Sequence, residues 1–85
     1  MMKLSHLPNI SQEIEAKLHA AGVFSYEELR EKGSRNVFMK IKMRDSGACY
    51  ETLLSLEGAI RGKLSDDLDD KTREELRLFM EIFNR

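Results

Sequence analysis

Helix-capping residues and glycines divide this sequence into short segments. The positions of these helix starts and stops limit the possible folds more than any other feature. Ser11, or Asn9 together with Gln12, can cap a first helix. Gly22 can end that helix because glycine adopts the left-handed conformation without steric cost. A second, short helix is predicted by a capping box and a glycine stop: Ser25, Glu28 and Gly33.

Three longer helices are predicted in the rest of the chain. Ser34 can cap a third helix to about Arg44, and a turn follows at residues 45–47. A fourth helix extends from about residue 48 to 63, and Asp69 or Asp70 caps a fifth that ends near residue 84. No segment shows the sustained period-two alternation of a strand. The sequence therefore predicts an all-α fold, a compact bundle of about five helices.

The fourth helix has the features of a central helix. One apolar stripe is spaced at helical intervals and consists of Cys49, Leu53, Leu56, Ile60 and Leu64. Because Cys49 belongs to this stripe, we expect it to be buried and unreactive. Gly58 and Gly62 lie on the opposite side, where each glycine costs the helix about 1 kcal/mol relative to alanine. We therefore expect close packing of another helix against Gly58 and Gly62.

Two other helices carry apolar residues on a second face. Met39 and Met43 point away from the predicted core stripe of the third helix, and Leu78 and Ile82 do so in the fifth. A chain of 85 residues buries every such face only with difficulty. The rest of the domain could wrap these faces, or they could form an interface with another protein or with a second copy in a homodimer.

Composition excludes several classes of protein. Apolar residues make up 41% and charged residues 34%, which fits one soluble domain and not a membrane protein. A net charge of −1 gives no overall attraction to nucleic acid or to anionic membranes. The N-terminal sequence lacks the apolar run of a secretory signal, so a cytoplasmic location is expected.

The residues that usually perform chemistry are few and scattered. His6 and His19 have no cysteine or carboxylate at metal-ligand spacing, and Cys49 is the single cysteine. The sequence has no phosphate-binding glycine loop. We therefore predict no catalytic, cofactor-binding or metal-binding residues, and no enzyme activity.

The segment from Leu7 to Ser11, with the helix after it, resembles the second half of a helix-hairpin-helix unit. Such units present backbone N–H groups to a nucleic-acid phosphate, and Asn9 and Ser11 stand where glycines would be expected. Residues 33–44 contain basic residues and no acid. A possible nucleic-acid contact set is therefore Asn9, Ser11, Arg35, Lys40, Lys42 and Arg44. DNA-backbone binding is the alternative to a protein-interaction role.

The ordered features across residues 4–80 are more specific than this hairpin. They include Ala21-Gly22-Val23 and, in the fourth helix, the stretch Leu56-Glu57-Gly58-Ala59-Ile60-Arg61-Gly62. This arrangement resembles the C-terminal domain of the TfoX/Sxy family of competence regulators. The resemblance implies an all-helical domain with a hairpin-like N-terminal part, and a regulatory function without enzyme chemistry. Two-domain members carry an α/β domain in front, so a standalone C-terminal domain is expected here. Glu57 and Arg61 match the family stretch and are spaced to form an ion pair.

Overall fold

Side-chain hydrogen bonds begin the first two helices in the computed structural model, which describes residues 3–83. The hydroxyl of Ser11 accepts the backbone N–H of Ile14 at 3.2 Å, and α1 (Gln12–Ala20) follows. Ser11, and not Asn9, is therefore the cap. The hydroxyl of Ser25 accepts the backbone N–H of Glu28 at 3.1 Å and begins α2 (Tyr26–Lys32), which confirms Ser25 as the cap. The Glu28 carboxylate accepts from the Ser25 hydroxyl at 3.3 Å instead of from the Ser25 backbone N–H, so only half of the predicted capping box forms.

Three longer helices and two short 3-10 helices complete the described chain. They are α3 (Ser34–Arg44), α4 (Tyr50–Arg61), α5 (Asp70–Phe83), and 3-10 helices at Leu4–His6 and Ser65–Asp67. Asp69 caps α5, because its carboxylate accepts the backbone N–H of Thr72 at 3.0 Å. The predicted end of α5 near residue 84 lies outside the described residues. Residues 3–83 contain no strand, and none of their helices is long and apolar enough to cross a bilayer. The predicted all-α bundle is confirmed.

The prediction that Ser34 caps α3 is wrong. Gly33 occupies the N-cap position, and Ser34 is the first residue of the helix. Ser34 is only 2% exposed, and its hydroxyl donates to the Glu57 carboxylate at 2.6 Å. Packing of α3 against α4 therefore directs this hydroxyl towards a partner 23 residues away instead of its own helix terminus.

The fourth helix is central, as predicted. It packs against α2, α3 and α5, and also against the 3-10 helix at Ser65–Asp67. Leu53, Leu54 and Leu56 have almost no exposed surface. The helix is shorter than predicted at both ends.

Both ends of the predicted apolar stripe are exposed. Cys49 is exposed, so the prediction of its burial is wrong. It is the extended residue before α4, with φ −133° and ψ −177°, so it no longer follows the helical spacing of Leu53 and Leu56. Leu64 lies beyond the end of the helix and is 59% exposed. Apolar spacing therefore predicts burial only as far as the helix itself extends.

Gly58 and Gly62 have different roles, and the closest neighbours of Gly58 do not belong to another α-helix, contrary to the prediction. Gly62 has φ +70° and ends α4, with the backbone N–H of Lys63 donating to the Gly58 carbonyl at 2.8 Å. Gly58 is buried, and a Cβ there would lie 2.5 Å from the Asn9 amide nitrogen and 2.6 Å from the Lys63 carbonyl oxygen. The close approach at Gly58 is therefore made by two loops.

Candidate functional site

A groove between α1 and α3 combines apolar and basic residues on the surface. Two adjoining concavities, of about 470 and 250 Å³, share Ala20 and Arg44 in their walls. We call their combined lining the α1/α3 groove; its residues are Ala16, Lys17, Ala20, Ala21, Lys40, Ile41, Met43, Arg44 and Asp45. Small alanine side chains on α1 leave the space that the longer side chains of α3 surround.

Met43 is the most exposed large apolar residue of the groove. It is 85% exposed, whereas Ile41 is buried at the groove floor. Met43 follows Lys40 by three residues, which places the two on one side of α3, and Arg44 lines the same concavity. Within residues 3–83, neither Lys40 nor Arg44 forms an ion pair. The groove therefore offers a flexible apolar side chain and two available positive charges.

The acidic residue of the groove is neutralised by a partner on α1. Lys17 Nζ lies 2.7 Å from a carboxylate oxygen of Asp45 and 3.7 Å from one of Glu13. The Lys17 hydrogen bond, followed by the bond from the Gly47 backbone N–H, lowers the pKa of Asp45 below its ordinary value. The same Asp45 bond raises the pKa of Lys17. Asp45 therefore remains ionised and paired at neutral pH, and the groove has a net positive charge.

The possible nucleic-acid residues do not form one surface. The Asn9 amide donates to the Lys63 carbonyl at 2.9 Å, and its oxygen accepts the Ser65 backbone N–H at 2.9 Å. Ser11 caps α1. Lys42 donates to the carbonyls of Ser46 and Ala48 at 2.8 and 2.7 Å. These three side chains therefore hold turns and helix ends together.

Arg35 is also apart from the groove. Its guanidinium lies 4.0 Å from the Glu75 carboxylate on α5. Of the six possible nucleic-acid residues, only Lys40 and Arg44 lie in the groove, together with Met43 from the possible partner interface. The structure thus joins residues that sequence analysis assigned to two different functions.

Met39 lies in a different concavity from Met43. This concavity, of about 400 Å³, has Met39, Arg35 and Phe79 in its walls, together with the buried Ser34 and its partly buried partner Glu57. Met39 is half-buried, so the possible partner interface is divided at this point. Met39 and Met43 therefore belong to two separate surfaces.

Glu57 supplies a partly buried carboxylate to this second concavity. Its carboxylate oxygens accept bonds from the Ser34 hydroxyl and from Arg61 Nε, each at 2.6 Å, which confirms the predicted pairing with Arg61. Burial opposes its ionisation, but the two hydrogen bonds together lower the pKa of Glu57. The arrangement joins α3 to α4 and leaves Glu57 in its charged form.

Leu78 and Ile82 form a separate exposed patch on α5. They are 46% and 68% exposed and lie four residues apart on the side opposite the buried Leu76 and Met80. Arg77 pairs with Glu74 and Glu81 along the same helix. These three charged side chains bond to one another, and within residues 3–83 Leu78 and Ile82 remain exposed beside them.

Sequence analysis missed the α1 side of the groove and one exposed aromatic residue. Ala16 and Ala20 are four residues apart, and this small-residue spacing was the available signal. Phe24 is 59% exposed, and its ring stacks on His19 with a centroid distance of 5.2 Å. No signal in the sequence distinguishes Phe24 from a core phenylalanine. Across residues 3–83, no group of three or more His, Cys, Asp or Glu residues has metal-binding geometry.

Comparisons with known proteins agree with this architecture. An uncharacterised protein from Listeria monocytogenes, solved in a triclinic crystal form, is 36% identical with a TM-score of 0.96; the match covers 98% of this chain and 94% of that one. A Listeria monocytogenes protein of unknown function in a tetragonal form is 38% identical with a TM-score of 0.91, covering 94% and 98% of the two chains. No curated protein matches the chain. The family described as the TfoX C-terminal domain matches residues 1–80, and the chain therefore belongs to this family.

Proposed function

We propose that this chain is a non-enzymatic regulatory domain that binds protein helices through the α1/α3 groove. The observation that carries the proposal is Met43, which is 85% exposed between Lys40 and Arg44. A large, flexible apolar side chain surrounded by cations is suited to an amphipathic helix with acidic flanks. Membership of the TfoX C-terminal domain family supports a regulatory role.

The shape of the groove also supports helix binding. The wall formed by α1 and the residue after it has small side chains, those of Ala16, Ala20 and Ala21. A partner side chain can therefore approach the buried Ile41. Met43 can change rotamer to cover that side chain, which removes its own apolar surface from water. Lys40 and Arg44 then lie at the rim, where charge guides orientation and the rate of association.

The distribution of basic residues favours a protein partner over DNA. A phosphate-binding surface requires several cations on one face. Asn9, Ser11 and Lys42 make internal hydrogen bonds, and Arg35 lies beside Glu75. Lys40 and Arg44 supply only two positive charges, so they could neutralise few phosphates of a nucleic acid.

Site-specific photo-cross-linking in cells tests the proposal. A photoreactive residue at position 43 should give discrete adducts that mass spectrometry identifies, and Lys40→Glu/Arg44→Glu in the same chain should remove them. Position 31 is the matched control, because Glu31 is exposed on α2 outside the groove. Equal adducts at both positions, or none at position 43, would contradict the proposal.

Titration with duplex DNA at low and high salt tests the alternative. We expect no binding at either salt concentration. Binding that is strong at low salt and is lost in Lys40→Glu/Arg44→Glu would assign the groove to nucleic acid instead of protein.

A further inference from the structure

We infer that Met43 is an oxidation site, at which a peroxide converts the thioether to a sulfoxide and thereby weakens partner binding in the α1/α3 groove. The inference rests on the proposed function and adds a form of regulation to it. Two observations carry it: the exposure of Met43, and its place in a concavity with two cationic side chains.

Met43 is the most accessible methionine within residues 3–83. It is 85% exposed, whereas Met80 is 9% exposed and Met39 is half-buried. The susceptibility of a sulfur side chain to oxidation follows its exposure. An oxidant in solution therefore reaches the methionine of the groove before it reaches the other two.

The reaction at Met43 requires only an accessible sulfur atom and a peroxide. A lone pair of the sulfur attacks one oxygen of hydrogen peroxide, and the S–O bond forms as the O–O bond breaks. The sulfur is oxidised by two electrons, and the other oxygen leaves as water with both hydrogen atoms. The product is methionine sulfoxide, which reductases convert back to the thioether.

Oxidation changes the property of Met43 on which the proposed binding depends. The thioether is apolar and flexible, so it can pack against a partner side chain. The sulfoxide oxygen is a hydrogen-bond acceptor, which loses its water when a partner covers it. This oxygen can accept from Lys40 or Arg44, which form no ion pair within residues 3–83. Both cations are then less available to the acidic flanks of a partner.

The fold should be insensitive to oxidation of Met43. Most of the residue is in water, so a sulfoxide at this position stays hydrated in the free chain. Met80 belongs to the core, where the same change would place a polar group among apolar side chains. Oxidation of Met43 therefore alters binding and leaves the helices intact.

Tandem mass spectrometry after timed exposure of the full chain to hydrogen peroxide tests the site. Cys49 also exposes a sulfur atom, so the experiment uses Cys49→Ser, which places a favourable residue at the N-cap of α4. We expect Met43 to gain an oxygen about ten times faster than Met80, with an unchanged circular dichroism spectrum. Oxidation of Met80 as fast as that of Met43 would overturn the assignment.

Photo-cross-linking of the same chain measures the effect on binding. A photoreactive residue at position 20, in the wall shared by the two concavities, captures a partner while Met43 stays in place. The chain is oxidised, freed of peroxide and added to a cell extract from which small reductants have been removed. We expect half-maximal adduct formation to require about tenfold more oxidised than untreated chain. Methionine sulfoxide reductases should reverse the difference.

Two variants separate oxidation of Met43 from oxidation elsewhere. Met43→Leu is apolar and has no sulfur, so peroxide should leave its adduct yield at the value before treatment. Met43→Gln places an amide in the groove and should give the low yield without peroxide. Equal yields from oxidised and untreated chains, or a loss that Met43→Leu shares, would overturn the inference and leave the proposed function standing. Absence of adducts from the untreated chain would remove both.

Discussion

Two regions of the molecule use polar residues in opposite ways. One is the junction where Asn9 meets the end of α4, and the other is the α1/α3 groove. At the junction, the Asn9 side chain bonds to the backbone of Lys63 and Ser65, more than 50 residues away in sequence. In the groove, Lys40 and Arg44 have no ion-pair partner within residues 3–83, and Met43 extends into solvent.

This difference separates residues that hold the fold from residues available to a partner. The side chain of Asn9 makes hydrogen bonds to the backbone beyond the end of α4. Asn9 itself has φ +68°, a conformation that asparagine tolerates better than most residues. The free energy of these hydrogen bonds offsets the cost of the positive φ. Nothing comparable constrains Lys40 or Arg44. Substitutions at the junction should therefore change stability, and substitutions in the groove should change association.

Gly58→Ala should have the largest effect on stability. The new Cβ would lie 2.6 Å from the Lys63 carbonyl oxygen, a backbone atom that moves only if the end of α4 moves. We expect a loss of about 3 kcal/mol, because overpacking outweighs the gain of about 1 kcal/mol in helix propensity. Urea unfolding measures it. Gly47→Ala is the control, since a Cβ there meets only the Asp45 carboxylate; equal stabilities of the two variants would contradict the close approach.

Asn9→Ala should have the next largest effect. It removes the two 2.9 Å hydrogen bonds that join residue 9 to Lys63 and Ser65, and alanine is less favourable at φ +68°. The expected loss of unfolding free energy is about 2 kcal/mol. Asn9→Gly removes the same bonds without the conformational cost and should be the more stable of the two. If Asn9→Ala unfolds like the unmodified chain, Asn9 has no anchoring role.

Glu57→Gln should have a smaller effect that depends on pH. The folded-state pKa of Glu57 is lowered, so its charge stabilises the fold above the ordinary value of 4.5, and this contribution is lost as pH falls through the folded-state pKa. We expect a loss of about 1 kcal/mol at pH 7 and a smaller difference from the unmodified chain in acid. Glu51→Gln, an exposed change on the same helix, is the control. A difference that does not shrink in acid would exclude the charge of Glu57 as its source.

Lys40→Glu/Arg44→Glu should have the smallest effect on stability. Both side chains are exposed, and we expect a change within about 0.5 kcal/mol. Chemical denaturation measures the free energy of unfolding of this variant and of the unmodified chain. A large loss would show that these cations support the fold, and would remove the contrast between groove and junction.

Local patterns predicted the helices well and the surface poorly. Ser11, Ser25 and Asp69 cap helices as their positions indicate, because the accepted N–H groups are three residues away in the chain. Ser34 has the same chemistry, but burial beside α4 gives its hydroxyl a different partner. Helical spacing likewise placed Leu53 correctly in the core, whereas Cys49 lies one residue outside the helix and is exposed.

The candidate site was predicted only as separate residues. Lys40 and Arg44 were noticed for their charge and Met43 for its apolar second face, but their association with Ala16 and Ala20 depends on how α1 crosses α3. Gly58 was recognised as a position of close approach, whereas the neighbour is the Asn9 loop and not another helix. Sequence spacing identifies a face of one helix, but it does not identify what packs on it.

The sequence by itself determined the five helices and the positions of most of their ends, because capping bonds and apolar periodicity act over three or four residues. The order of its motifs also indicated the family. Tertiary structure decided which side chains remain available. Asn9 is occupied by atoms more than 50 residues away, and Ser34 by a carboxylate 23 residues away. Met43, Lys40 and Arg44 remain accessible because the small α1 side chains leave the groove open beside them. Contacts between residues so distant in the chain are fixed only when the helices pack.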